Sequence, residues 1–326
     1  MRSPAKSFAP RQRGKSRPLK CTPAHRSLAA SRSIHDLLLC GIGAIVKQLV
    51  RETIRTVRRA WQVPRAPLEA IDDPHEAITR LRQGQPVGLS CPRDACVIFN
   101  GLSFSQYGYH PFAAAAAERL ACPEQQFSGS SLERYYASWQ PRDALEALIG
   151  AADGPGTLKD YAPYLMLAPW LDTTLADRQA WIEKTLRWES QASAAGPLGP
   201  ADGHGLQGPV SPAKGQAEYA RLAEVLESIT RHGFDRTRGE IAAQLLKRDG
   251  EVRYRIVHGH HRAAALAASG YDKIPVEPSQ IIDVDEVASW PHVRSGFWAA
   301  SAAAAYFHHH FDFDSAAWAR ARGLLR

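Results

Sequence analysis

The sequence predicts a mixed α+β fold, and three observations carry that expectation. Short apolar pieces at 86–89 and 96–99, each bounded by Gly or Pro, have the length of strands. Longer stretches with helical periodicity, such as 177–188, follow them. Beyond a Gly- and Pro-rich segment, the alternating run 252–257 stops at Gly259 and passes into an alanine-rich helix, so a strand feeds a helix directly.

Residues 1–33 hold nine Lys/Arg, no acid and several Pro and Ser, a composition that cannot bury a core and reads as a disordered basic tail. It also has the make-up of an organellar transit peptide. Residues 34–67 read as a basic amphipathic helix. Ile34, Leu38, Ile42, Ile45, Leu49, Ile54 and Val57 share one side, with Lys47, Arg51, Arg55, Arg58 and Arg59 largely opposite. Such a helix packs on a protein body or lies on an anionic membrane.

Residues 68–189 read as a mixed, helix-rich domain with helices at 111–120, 131–137, 142–149 and 177–188, the last opened by Thr174 with Asp177 three residues on. Residues 190–217 contain six Gly and four Pro and read as a linker. Residues 218–285 then form a small mixed unit: helix 218–231, an apolar piece 241–246 that suits a strand or a helical turn, strand 252–257, helix 262–268 ended by Gly270, and strand 274–276. Residues 286–326 read as a helical C-terminal extension.

Of the 326 residues, 44% are hydrophobic and 22% charged, which suits a globular protein with a real core. The net charge of +7 is unevenly placed: residues 1–67 carry 15 Lys/Arg against two acids, and residues 68–326 carry 25 against 31. An acidic body argues against a nucleic-acid-binding body, while residues 1–67 could hold nucleic acid or an anionic membrane electrostatically. Five cysteines, among them Cys91 and Cys96 with four residues between, match neither a zinc knuckle nor a redox pair. Reduced thiols and a cytoplasmic location, peripheral to the membrane if the basic helix binds it, are the expectation. No apolar run reaches the roughly 18 residues of a membrane span.

The sharpest local signal is Gly259-His260-His261-Arg262 between strand and helix. A helix start exposes unpaired N–H groups and the positive end of the dipole. Arg262 adds a planar guanidinium matched to phosphate oxygens, and the two histidines add further donors. From the residues alone this is an anion site that suits phosphate.

These residues carry a resemblance. The stretch from Arg221 to Val276 resembles the ParB/sulfiredoxin superfamily, the ParB-like nuclease domain. It has a helix ending in Glu227-Ser228-Ile229 before Gly233, a strand with Tyr254, the glycine-headed box, Ala263 to Leu266, Gly270, and Ile274-Pro275-Val276. Partition proteins carry Gly-Glu-Arg-Arg at the box and sulfiredoxins Gly-Cys-His-Arg. Gly259 and Arg262 match both, and His261 matches the sulfiredoxin form. The resemblance implies that Gly259, His260, His261 and Arg262 contact the phosphates of ATP or CTP. His260 stands where sulfiredoxins carry cysteine, which excludes their sulfinic-acid chemistry, and the acid of the partition-protein box is missing. No helix-turn-helix follows. The whole chain also resembles uncharacterised bacterial proteins with the same box, through Tyr109-His110-Pro111-Phe112, Tyr135-Tyr136, Trp139-Gln140-Pro141 and Gly208-Pro209-Val210-Ser211. Their association with cell-surface polysaccharide clusters suggests a glycan precursor as substrate.

Further candidates surround the box. Glu218 and Arg221, at i and i+3 on one helix, could supply a Mg²⁺ ligand or general base and a phosphate contact, or form an exposed helix pair. Lys214 could reach phosphate from the linker. Gln244 has no argument beyond its nearness in sequence. His308, His309 and His310 point in different directions on a helix, so no metal site is assigned there; Tyr306, Phe307, Phe311 and Phe313 suit a core-facing aromatic end. His110, Tyr135, Tyr136, Trp139 and Gln140 suit core more than a substrate pocket. The resulting expectation is Mg²⁺-dependent phosphoryl transfer or nucleotide hydrolysis on a small molecule or glycan precursor. The alternatives are a ParB-like nucleic-acid-binding protein or nuclease, and a non-catalytic nucleotide-dependent regulator.

Overall fold

The central hairpin is set by two residues. Asp249 (φ 46°) and Gly250 (φ 83°) both take left-handed conformations, the requirement of a two-residue turn that matches strand twist. It joins β4 (Ala242–Arg248) to β5 (Glu251–His258). The computed structural model describes residues 68, 70–192 and 196–325; the tail and basic helix expected over 1–67 lie outside them.

Six strands among the described residues form one mixed sheet. The others are β1 (Ala70–Ile71), β2 (Gly88–Pro92), β3 (Cys96–Val97) and β6 (Lys273–Asp283), and the order is β1-β2-β6-β4-β5-β3. The pairs β1/β2, β4/β6 and β3/β5 are parallel, while β2/β6 and β4/β5 are antiparallel. Strands from before and after the Gly/Pro-rich segment therefore share a sheet. β6 is much longer than the three residues expected. Its first part pairs with β2 and its second with β4, and Pro278 sits beside a register shift between Ala243 and Gln244, where a missing N–H is tolerated.

The helices are α1 (Pro74–Arg82), α2 (Pro111–Ala121), α3 (Ser131–Ser138), α4 (Ala144–Ala147), α5 (Leu175–Ala192), α6 (Pro212–His232), α7 (His260–Ala268), α8 (Pro291–Arg294), α9 (Ala300–Asp312) and α10 (Ser315–Arg320). α6 starts inside the stretch expected as linker. Ser211 caps it and Pro212 opens it, the position where proline's missing N–H costs nothing. Gly215 belongs in this helix because a Cβ would lie 2.3 Å from the Phe127 ring.

Alternation along the strands builds two cores. Ala243, Leu245, Tyr254, Ile256, Ile274 and Val276 meet Phe112, Ala115, Leu222, Leu226 and the buried alanines of α7 on one face. On the other, Leu246 and Ile282 meet Leu148, Trp170, Ile182, Leu186, Tyr306 and Phe307. The ring nitrogens of His310 face the carbonyls of Tyr306 (3.0 Å) and Phe99 (3.1 Å), and His309 Nε2 faces Asn100 O at 3.1 Å. Those histidines hold the aromatic end of α9 in place. No helix among the described residues is long and apolar enough to cross a membrane.

Candidate functional site

The start of α7 is open. Gly259 takes φ 83° and no side chain caps the helix. The first helical turn bond runs from Ala263 N–H to Gly259 O at 3.0 Å, which leaves the N–H groups of His260, His261 and Arg262 without intrahelical acceptors. A Cβ on Gly259 would meet Arg262 Nη2 at 3.0 Å and Ile241 Cα at 3.3 Å, in a conformation that side chains rarely adopt.

Histidine nitrogens without partners crowd this opening. His260 Nδ1 and His110 Nε2 are sealed from solvent and have no hydrogen-bond partner among the described residues. Burial, reinforced by His261, His258 and Arg255, pushes the His260 pKa down to about 3. Burial, reinforced by the neighbouring His260 and His261, holds His110 well below the usual histidine range. Both are neutral at pH 7. Their unmet nitrogens cost free energy that a bound partner would recover. His110 is fixed by its other nitrogen, which accepts from Ala113 N–H at 3.3 Å and so caps α2, and by stacking on Phe104 at 4.0 Å.

Beside these rings lies a buried ion chain. Lys214 Nζ donates to Glu189 Oε2 and Glu218 Oε1, each at 2.5 Å, and the lysine is 1% exposed. Glu218 Oε2 lies 2.9 Å from His261 Nε2, so the carboxylate faces the ring nitrogen directly. The His261 ring stacks on Phe112 at 4.4 Å. Burial raises the Glu218 carboxyl, but His261 and Lys214 outweigh it and hold the pKa far below the carboxylate norm. Burial likewise opposes the Lys214 charge, and the two carboxylates overcome it, raising the lysine pKa.

Two further arginines bring positive charge without a carboxylate partner among the described residues. Arg255 is 3% exposed. Its Nε (2.9 Å) and Nη2 both donate to Gln244 Oε1, which also accepts from Trp170 Nε1 at 3.2 Å. Phe99 and Trp170 cover the guanidinium at 4.9 and 5.7 Å. Burial lowers its pKa to about 10, aided by Arg178, so it stays charged. Arg178 has a sealed Nε with no hydrogen-bond partner among the described residues. A buried cation facing only neutral oxygens and aromatic rings is poorly compensated.

The structure brings Lys214, Glu218, His260 and His261 together, as the sequence suggested. Arg262 is used differently. Its guanidinium donates to the carbonyls of Gly239 and, at 2.9 Å, Glu240, tying α7 to the lead-in of β4. Arg221 is exposed and lies over Trp188 at 5.4 Å. Arg178, His204 and Arg255 escaped sequence reasoning. Arg255 sits in an alternating strand where an arginine reads as solvent-facing, and only the distant Trp170 reveals otherwise. Among the described residues no group of three His, Cys, Asp or Glu is placed to hold a metal ion. Both oxygens of Glu218 are engaged, so that carboxylate does not fit as a Mg²⁺ ligand. An open cleft of about 490 Å³ lined by Asp172, Thr173, Asp177, His292 and Phe297 has acids and no Lys or Arg in its wall, so it does not suit an anion. No protein-family model matches the chain, and no curated protein and no solved structure was found to match it.

Proposed function

We propose that this protein binds the phosphate groups of a nucleotide at the open start of α7 and transfers a phosphoryl group to a hydroxyl acceptor. The observation that carries the reading is the sealed, unpartnered His260 Nδ1 and His110 Nε2 beside free helix N–H groups and the carboxylate-free Arg255. Negative charge and acceptor oxygens are what those groups lack. The resemblance of the Gly259–Arg262 box to the ParB/sulfiredoxin superfamily supports a nucleotide as the phosphate carrier.

Within this reading His261 is the general base. As the acceptor oxygen attacks the terminal phosphorus, His261 takes its proton, and the bond from phosphorus to the bridging oxygen breaks, leaving the shortened nucleotide. Glu218, paired to Lys214, is too acidic to take that proton at neutral pH and is instead a positioning residue, 2.9 Å from His261 Nε2, that orients the neutral imidazole. The acceptor class stays as expected, a small molecule or glycan precursor.

A thermal-shift titration of the full chain with ATP, CTP and inorganic phosphate tests this. Stabilisation that grows with ligand concentration is expected, and it is reduced in His260→Ala. His261→Gln keeps binding but lowers turnover by about 10²- to 10⁴-fold. No stabilisation by any of the three ligands would sink the proposal.

A further inference from the structure

Resting on the phosphate site above, a second group of side chains indicates where the remainder of the ligand lies. Trp181 on α5 is 51% exposed. Arg178, one turn earlier, lays its guanidinium over the indole at 5.1 Å. His204 meets the same ring edge-on, with centroids 5.7 Å apart and planes at 87°. A core tryptophan would be covered, and a surface arginine would be solvated. Here the indole is half exposed although the Arg178 guanidinium lies over its ring, while Arg178 Nε and His204 Nδ1 are sealed and unpartnered among the described residues.

The shelf and the α7 site share one electrostatic environment. Arg178 acts on the charge of Arg255, and burial together with Lys214 and Arg178 lowers His204 to about 4. A neutral His204 keeps one donor and one acceptor nitrogen, the complement of a heterocycle's edge, and the exposed part of the indole offers a stacking surface for any base. A bare phosphate would use neither. A molecule with both a planar hydrogen-bonding ring and a phosphate chain would use all of them.

We infer that Trp181, Arg178 and His204 form the seat of the nucleoside end of the ligand, with Trp181 stacking the base and Arg178 reaching the phosphate chain. This shelf gives the site its preference for a nucleotide over other phosphates.

Calorimetric titration of the full chain with ATP, tripolyphosphate and ribose 5-phosphate tests the assignment. Trp181→Ala is expected to weaken ATP about tenfold or more while leaving tripolyphosphate within about twofold, and Trp181→Phe to restore most of the ATP affinity. Arg178→Gln is expected to weaken both ATP and tripolyphosphate. If ATP and tripolyphosphate bind the wild type and Trp181→Ala leaves ATP unchanged, the shelf is overturned while the phosphate site stands. If the wild type binds none of the three, both readings fall together.

Discussion

Lys214 Nζ lies 2.5 Å from Glu218 Oε1, one helical turn further along α6, and the same nitrogen holds Glu189 at the same distance. One buried cation thus neutralises two carboxylates, and one of these in turn orients His261. Breaking a buried pair from one side strands the remaining charge. Lys214→Met is expected to cost about 3–5 kcal/mol in denaturant unfolding. The double variant Lys214→Met/Glu218→Gln should be at least about 1 kcal/mol more stable than the sum of its singles. Strict additivity would show that the two are not coupled.

Stability should fall on mild acidification. The folded pKa of His260, about 3, lies below the roughly 6.5 of an unfolded histidine. The unfolded chain therefore binds the extra proton first, and the stability is complete above about pH 6.5 and lost progressively towards pH 3. At pH 5 this one residue accounts for up to about 2 kcal/mol. Urea midpoints at pH 7.5 and 5.0 should differ, and His260→Gln should reduce the difference. Glu218 adds a loss in the same direction below about pH 4.3, since its folded pKa is also depressed.

The neutral amide of Gln244 leaves the Arg255 charge uncancelled, which the proposed phosphate site requires. Gln244→Glu places a carboxylate against the guanidinium, so the fold should keep its stability within about 1 kcal/mol. Nucleotide affinity should drop about tenfold or more as the positive charge is cancelled. Gln244→Leu should act in the opposite manner, destabilising by about 3 kcal/mol because Arg255 and Trp170 Nε1 lose their shared acceptor. Calorimetry and chemical unfolding on both variants separate the two effects.

Gly259→Ala should be costly at the one turn that opens the site. A left-handed alanine costs about 1–2 kcal/mol, and its Cβ would press on Ile241 Cα. Lower melting temperature together with weaker phosphate binding is the expected result; unchanged binding would show that the helix start is not the ligand seat.

Much of the fold was legible because its signals are local. Periodicity and caps located α2, α3 and α5, and the strand–turn–helix at 252–268 read through almost to the residue. β6 reads only as 274–276 because Pro278 looks like a stop signal, and only the change of partner from β2 to β4 makes room for it. The first turns of α6 were hidden by Gly215 and Pro212, each placed by a neighbour or a rule of helix starts. At the site, the box histidines and the helix from Glu218 were visible in sequence, while Lys214 read as part of the linker rather than of that helix. Arg255 and His204 were not visible, because their surroundings come from residues far away in the chain, here Trp170 and Trp181, and Arg178, only three residues before Trp181, reads as an ordinary exposed helix position. Gln244, with no argument from its position, proved the shared acceptor of Arg255 and Trp170.

The shared sheet has a consequence for synthesis. β2 and β3 emerge from the ribosome early, yet Leu89 pairs with Val276 and Cys96 with Tyr254. Until the last strand is made, those early edges carry apolar side chains and open backbone groups with nothing to pair with. Folding must wait for contacts that are distant along the chain, which makes it slow. A chain stopped within the Gly/Pro-rich segment should be captured by chaperones or aggregate rather than persist as a smaller working unit.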